Sequence, residues 1–486
     1  MPIMYWNDIA LKANQADFSV DPPLSPEQGG PTLSSRALGI VHLAMYEAFA
    51  TASGNPAGLE HYLLPASQVT LVGAADLPAA VAGAAHRALS VLYPRQREMF
   101  DAALAAAGLG SGPNVANGLG FGRRVADRII QLRSQDPIVG DTPLAEIAPK
   151  PDHRPDPQSA KFALPKPDMQ KTHGAYYGGA HTFAASNALA LDAPPYSGGT
   201  APAYLKALRE VRAKGIAPEL AGTVGLASQR TTDETMMGIF WAYDGAKGLG
   251  TPPRFYNQVI RELVARTTPA LTVAQQARLF ALVNAAMADA GILAWREKYR
   301  HNFWRPVVGI REHDPSMGSA GPPGNPVNND CDSQWLPLGA PKSNAPGASN
   351  LTPPFPAYPS GHATFGGAAF GVARHYLEQI LNSGTHRANG PDPFFSGGLV
   401  SDECNGKTVD NHGVVRPKHN RAFPDGLWQM IVENGRSRVF LGVHWVFDAF
   451  AVKPNGDPDL SKNIGGVKLG LDIAKSVIDN GLKQQP

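Results

Sequence analysis

Cysteine is nearly missing from this 486-residue chain, which carries only Cys331 and Cys404. Two thiols cannot build a disulfide scaffold or supply a zinc ligand set, so neither small-secreted nor zinc-ribbon architectures apply. Both cysteines sit in polar loops, which leaves a single bridge between them or two free thiols. A charge excess is also lacking, with 43 Lys+Arg against 41 Asp+Glu and a formal net charge of +2. That balance gives no reason to expect a nucleic-acid partner, and any anion site must be local. Nor is there a long apolar run. The most apolar window, from Leu77 to Tyr93, contains His86 and Arg87, and no stretch reaches the roughly 18 uninterrupted residues of a spanning helix. The first eight residues lack the basic head and apolar stretch of a secretory signal. We therefore expect a soluble protein with no membrane partner, its compartment left open.

Alternating strand patterns and repeats of 20–50 residues are missing too, which points to an all-α chain. Hydrophobic residues make up 43% and charged residues 17%, a globular balance, and the length exceeds one ordinary core. Residues 1–31, with Pro22, Pro23, Pro26 and Pro31, read as an extended arm. Apolar positions at helical spacing then mark helices over 32–50, 79–93, 95–107 and 114–133. Residues 136–200 hold ten prolines and read as an irregular excursion or a linker, the natural place for a boundary. Periodicity returns over 203–213, over 219–245 with a break near Thr231, and over 254–267. The longest run is capped by Thr272 and is stopped near Trp304 by Pro306. Helices near 361–381, 426–450 and 466–482 follow, separated by loop-rich sequence at 312–358 and 384–425. The expected architecture is two packed helical bundles with long irregular loops. Residues 1–200 form the N-terminal bundle with its Pro/Gly-rich excursion, and 201–486 form the C-terminal bundle that carries the active site.

Three stretches concentrate ionisable groups where the chain is otherwise apolar. In Trp295–Pro306, Lys298 and Arg305 are seven apart, about 20° short of two full helical turns, so on one helix they would share a face. Taken alone, that spacing describes any solvated helix. In Pro359-Ser360-Gly361-His362, Ser360 is a good N-cap, and the helix after it would aim free amides and its positive end at an anion. A histidine in such a first turn is usually structural. In Gly435–Asp448, Arg438, His444 and Asp448 fall within eleven residues, with His444 and Asp448 at the four-residue spacing of one helix face. A buried ion pair explains them as well as a site does. Together, the three stretches supply three cations, a helix N-terminus and two histidines. That set suits a tetrahedral oxyanion and would repel a divalent cation.

The order Lys-x6-Arg-Pro, Pro-Ser-Gly-His, Ser-Arg-x5-His-x3-Asp resembles the vanadium-dependent haloperoxidases and their relatives, the type-2 phosphatidic acid phosphatases and class A bacterial acid phosphatases. The likeness extends to Tyr5-Trp6-Asn7, to 33–50, to Trp241–Gly245 and to 353–367. It implies vanadate as the cofactor, anchored through an imidazole nitrogen of His444. Lys298, Arg305, Arg438, Ser360 and the Gly361 amide would bind its oxygens, His362 would be the acid–base partner, and Asp448 and Asp244 would support these groups. The resemblance further implies hydrogen peroxide as oxidant and a His-anchored peroxovanadate that oxidises bromide, with chloride also expected, to hypohalous acid, which halogenates small organic substrates. Trp295 and Phe355 match the aromatic pair of fungal-type chloroperoxidases and would form the halide pocket. A homo-oligomer is compatible with all of this. The alternative is an acid phosphatase of the same superfamily, with His444 as the nucleophile that forms a phosphohistidine.

Overall fold

The computed structural model describes residues 2–484 apart from 55–58, 64–68, 146–147, 158–169, 221–227, 314–329, 383 and 385–388. The described residues are helical apart from loops and one antiparallel pair of short strands, β1 (Gly398–Val400) and β2 (Asn420–Ala422), with Leu399 opposite Arg421. Five helices occupy the N-terminal part: α1 (Pro2–Asp17), α2 (Gly30–Ala52), α3 (Leu77–Leu92), α4 (Arg97–Ala106) and α5 (Pro113–Leu132). Nine follow: α6 (Pro202–Lys214), α7 (Thr232–Phe240), α8 (Pro252–Arg266), α9 (Val273–His301), α10 (Pro306–Glu312), α11 (Gly361–Leu381), α12 (Gly426–Phe440), α13 (Val446–Ala449) and α14 (Gly466–Asn480). The all-α class expected from the sequence is the class found.

Helix α9 is the axis of the molecule. A capping box starts it: the Thr272 hydroxyl accepts from the Gln275 amide at 3.2 Å, while the Gln275 side chain accepts from the Thr272 amide at 2.8 Å. It is long and apolar, but it is buried by protein, with α2 on one side and α11 on another. Burial on several faces explains why its apolar residues are not confined to one stripe. One contiguous hydrophobic core runs from Ile3 to Leu482.

Four expectations are corrected. Residues 2–17 are helical rather than an extended arm. Ile3, Trp6, Ala10 and Ala13 lie on the buried face, and the prolines that suggested an arm begin only at Pro22. The helix through Lys298 does not continue to Trp304, because it ends at Asn302 in the left-handed conformation (φ 45°), and Pro306 opens a new helix, α10. The segment from 426 to 450 is two helices. Gly442 adopts φ 73°, and a Cβ there would meet the Gly215 carbonyl at 2.4 Å, so the chain turns away at this point. Of the stretch read as helix over 219–245, 232–240 is helical, 241–245 is a turn, and 221–227 lie outside the described residues. No disulfide joins the two cysteines, and Cys404 is buried.

The Pro/Gly-rich excursion is laid along α9 by side chains of that helix. Asp289 accepts from the amides of Phe183, Ala184 and Ala185, the last two at 2.9 and 2.7 Å. Glu297 accepts from the Leu191 amide at 3.0 Å. Three hydrogen bonds to one buried carboxylate order backbone that has no ladder partner of its own.

Candidate functional site

The site lies where the C-terminal end of α9, the N-terminus of α11 and the break between α12 and α13 meet. Lys298, in the last turn of α9, is fully buried, and its ammonium donates to the carbonyls of Pro356, Ala357 and Pro359 at 2.8, 3.1 and 2.5 Å. The loop before α11 is thereby fixed by the cation it faces. Arg305 precedes α10 rather than sharing a helix with Lys298. Its Nε donates to the Phe355 carbonyl at 2.9 Å, and its Nη1 lies 2.8 Å from the Val443 carbonyl and 2.9 Å from His444 Nε2. Burial, reinforced by repulsion from Arg305, lowers the Lys298 pKa well below its ordinary value. Burial likewise lowers that of Arg305 to about 9.

Ser360 caps α11, with its hydroxyl accepting weakly from the Ala363 amide at 3.4 Å. The next amides, Gly361 and His362, are at the helix start, where no intrahelical acceptor exists. The Ser360 amide donates to the Asp448 carbonyl at 2.8 Å, which ties this N-terminus to α13. His362 is held by its Nε2, which donates to the Ala242 carbonyl at 2.6 Å, so its Nδ1 carries the lone pair. Burial, with Arg438 nearby, pushes the His362 pKa down to about 3.

His444 sits in the loop between α12 and α13, and Asp448 is in the first turn of α13. The four-residue spacing is kept without a continuous helix. Nδ1 of His444 donates to Asp448 Oδ2 at 2.7 Å, and the same oxygen accepts from the Trp445 amide at 3.0 Å. Burial and the neighbouring Arg305 and Lys298 hold His444 well below its ordinary pKa. The imidazole is therefore neutral, protonated on Nδ1, with its Nε2 lone pair turned toward Arg305. Arg438 completes the cations. Its guanidinium grips Asp244 with two bonds, Nη1 to Oδ2 at 2.9 Å and Nη2 to Oδ1 at 2.7 Å.

A cavity of about 250 Å³ opens onto these groups, with Trp295, Phe355, Asp244, Gly361, His362, Arg438 and His444 among its lining residues. The Trp295 and Phe355 rings are 4.9 Å apart, and the Lys298 ammonium lies 5.6 and 5.0 Å from their centroids. All eleven side chains and backbone positions singled out in the sequence thus belong to one neighbourhood. Sequence reasoning missed the groups that hold them. Ala242 supplies a carbonyl to His362. Tyr243 adopts φ 46°, its amide donating to Glu403 at 3.3 Å and its ring stacking on Phe255 at 4.5 Å. Glu403 is in turn held by Ser343 at 2.5 Å and Arg416 at 2.7 Å. A backbone carbonyl and a left-handed tyrosine leave no trace in residue type, so only the Trp241–Gly245 motif hinted at this support.

The donor set fits an oxyanion. Arg305 Nη2 and Arg438 Nε are buried without a hydrogen-bond partner, which costs free energy unless an acceptor is supplied. Three buried cations face the two carboxylates Asp244 and Asp448, so the site is short of negative charge. Among the described residues, no group of three or more His, Cys, Asp and Glu side chains is assembled to cage a metal cation.

Two family models match this chain: the vanadium chloroperoxidase N-terminal domain over residues 2–109, and the second helical-bundle domain of the same enzymes over residues 278–458. The chain is also 33% identical to the vanadium chloroperoxidase of Curvularia inaequalis, in a match spanning 100% of this chain and 90% of that protein. It belongs to the vanadium-dependent haloperoxidase family. Solved structures agree on the fold of this chain. A bacterial vanadium-dependent iodoperoxidase superimposes with a TM-score of 0.64 at 19% identity, covering 97% of this chain and 95% of that one. The apo form of a bacterial vanadium-dependent chloroperoxidase does so with a TM-score of 0.56 at 16% identity, covering 93% and 95%.

Proposed function

We propose that this haloperoxidase binds vanadate at the site described and uses hydrogen peroxide to oxidise bromide and chloride to hypohalous acid. The observation that carries the reading is that the guanidiniums of Arg305 and Arg438, each with an unpaired buried N–H, lie beside a neutral imidazole whose Nε2 lone pair meets only Arg305 Nη1, at 2.9 Å. His444 would anchor the cofactor through that nitrogen, with Asp448 keeping the proton on Nδ1. Lys298, Arg305, Arg438, the Ser360 hydroxyl and the Gly361 amide would hold its oxygens by charge-assisted hydrogen bonds. Bound vanadate supplies a Lewis-acidic centre that activates peroxide for two-electron oxidation of a halide. The remaining work falls to the chain. His362, neutral and fixed through Nε2, presents Nδ1 as the acceptor for a proton leaving peroxide. Asp244 keeps the Arg438 fork oriented. Trp295 and Phe355 give the halide an apolar surface beside the cations, where it sheds water. We assign the oxyanion ligands to residues 201–486 and part of the cavity wall to residues 1–200.

The test is to load purified protein with orthovanadate and follow peroxide-dependent bromination and chlorination of a cyclic dione. Phosphate-ester hydrolysis by vanadate-free protein is measured alongside. Halogenation that requires both vanadate and peroxide supports the proposal. Ester hydrolysis without any halogenation at full vanadate occupancy would instead establish the phosphatase.

A further inference from the structure

One wall of the cavity comes from outside the three motifs. His173 belongs to the irregular excursion between α5 and α6, yet it lines the same cavity as Trp295, Phe355 and His444. Its ring centroid lies 5.9 Å from that of Phe355 and 6.4 Å from that of Trp295. The backbone around it is pinned. Trp295 Nε1 and the Tyr299 hydroxyl both donate to the His173 carbonyl at 2.9 Å, and the Gly174 amide donates to Asp141 at 2.7 Å. The ring packs edge-on against Gly30, where φ is 71° and a Cβ would fall 2.0 Å from His173 Nε2. Any other residue at position 30 would therefore displace the imidazole.

That nitrogen is sealed from solvent and has no hydrogen-bond partner. Burial holds the ring below its ordinary pKa, so it is neutral, with one N–H and one lone pair. Because Nε2 is closed off against Gly30, the ring meets an ion in the cavity through Nδ1, which has no partner among the described residues and carries the N–H when Nε2 holds the lone pair.

We propose that His173 is a halide-binding and specificity-determining residue, its imidazole N–H donating to a halide held between the rings of Trp295 and Phe355. The inference rests on the haloperoxidase function proposed above. A hydrogen-bond donor matters most to chloride, the smallest and most strongly hydrated of the three heavier halides, because its desolvation is the most expensive. The imidazole thus favours chloride over bromide and iodide, where aromatic edges alone would favour the larger ions.

The experiment uses crystals of vanadate-free protein soaked in bromide, with the bromide located by anomalous scattering, for wild type, His173→Gln and His173→Phe. Wild type should show bromide within hydrogen-bond distance of the imidazole. His173→Gln, which keeps a donor, should retain it, and His173→Phe should lose it. In vanadate-loaded protein, His173→Phe should raise the chloride KM roughly tenfold, the loss of one hydrogen bond to a charged group, and the bromide KM by less. Bromide absent from this cavity in wild type, or bound equally in His173→Phe, overturns the assignment while leaving halogenation intact. If His173→Phe does not fold, a His173→Gln protein whose chloride-to-bromide KM ratio and bromide position both match wild type supports a donor at this position, and one that loses the bromide overturns it. Wild-type protein that oxidises no halide overturns this inference together with the proposed function.

Discussion

Replacing Arg305 with lysine keeps the charge and removes the fork. Arg305 satisfies the buried carbonyls of Phe355 and Val443 through Nε and Nη1, contacts His444 Nε2 through Nη1, and leaves Nη2 unpaired. A lysine ammonium, confined to one point, reaches at best one of those acceptors. Two buried acceptors are then orphaned at about 1–3 kcal/mol each, for a loss of roughly 2–6 kcal/mol, a large share of an ordinary domain's stability. The donor that would meet the oxyanion is lost as well. A hydrogen bond to a charged group is worth about 1.5–3 kcal/mol, so vanadate should bind roughly 10- to 150-fold more weakly. Urea unfolding measures the first effect and isothermal titration with orthovanadate the second. An Arg305→Lys protein that unfolds at the wild-type urea concentration and binds vanadate as tightly would refute the geometry assigned to this guanidinium.

Asp448 gives a pH-dependent prediction. Burial lifts its carboxyl from 3.8 to about 7, so its contribution to stability is fully present below about pH 4 and is lost as pH rises through about 7. Vanadate-free Asp448→Asn should therefore gain on wild type between about pH 4 and pH 7.5 in urea melts; a difference constant with pH contradicts this. His362→Ala should retain vanadate but turn over at least about a hundredfold more slowly, the usual scale of a lost acid–base group. Unchanged kcat in halogenation assays would remove His362 from that role. Glu403→Leu takes away the acceptor for Ser343, Arg416 and the Tyr243 amide, so the Ala242–Asp244 turn should loosen and the protein melt several degrees lower. A melting temperature equal to wild type would show that the turn does not depend on it.

Most of the site was legible because its chemistry is written in residue types at fixed spacing. Lys298, Arg305, Ser360, His362, Arg438 and His444 lie in short motifs, and each motif sits at the end of an element. The helices were legible where one face is apolar, as in α4 and α5, and where a cap is explicit, as at Thr272. The element boundaries inside the motifs were not. Lys298 and Arg305 meet around the left-handed Asn302, and His444 reaches Asp448 across a loop that begins at Gly442, so correct spacing arose from geometry other than a single helix. Helix α1 escaped notice because Asn7 and Asn14 are buried polar residues that interrupt its apolar face; Asn7, for example, bonds Asn257 at 3.1 Å and His42 at 2.9 Å. The excursion looked like a linker because its order comes from Asp289, Trp295, Glu297 and Tyr299 on α9, more than 90 residues away in sequence, and no local pattern records such a partner.

The central claim is that an oxyanion is anchored on His444. Its most direct test is titration of the vanadate-free protein with orthovanadate by calorimetry, comparing wild type with His444→Ala. Wild type should bind one equivalent and His444→Ala should bind far more weakly, with halogenating activity lost in parallel. Tight stoichiometric binding by His444→Ala would contradict the account.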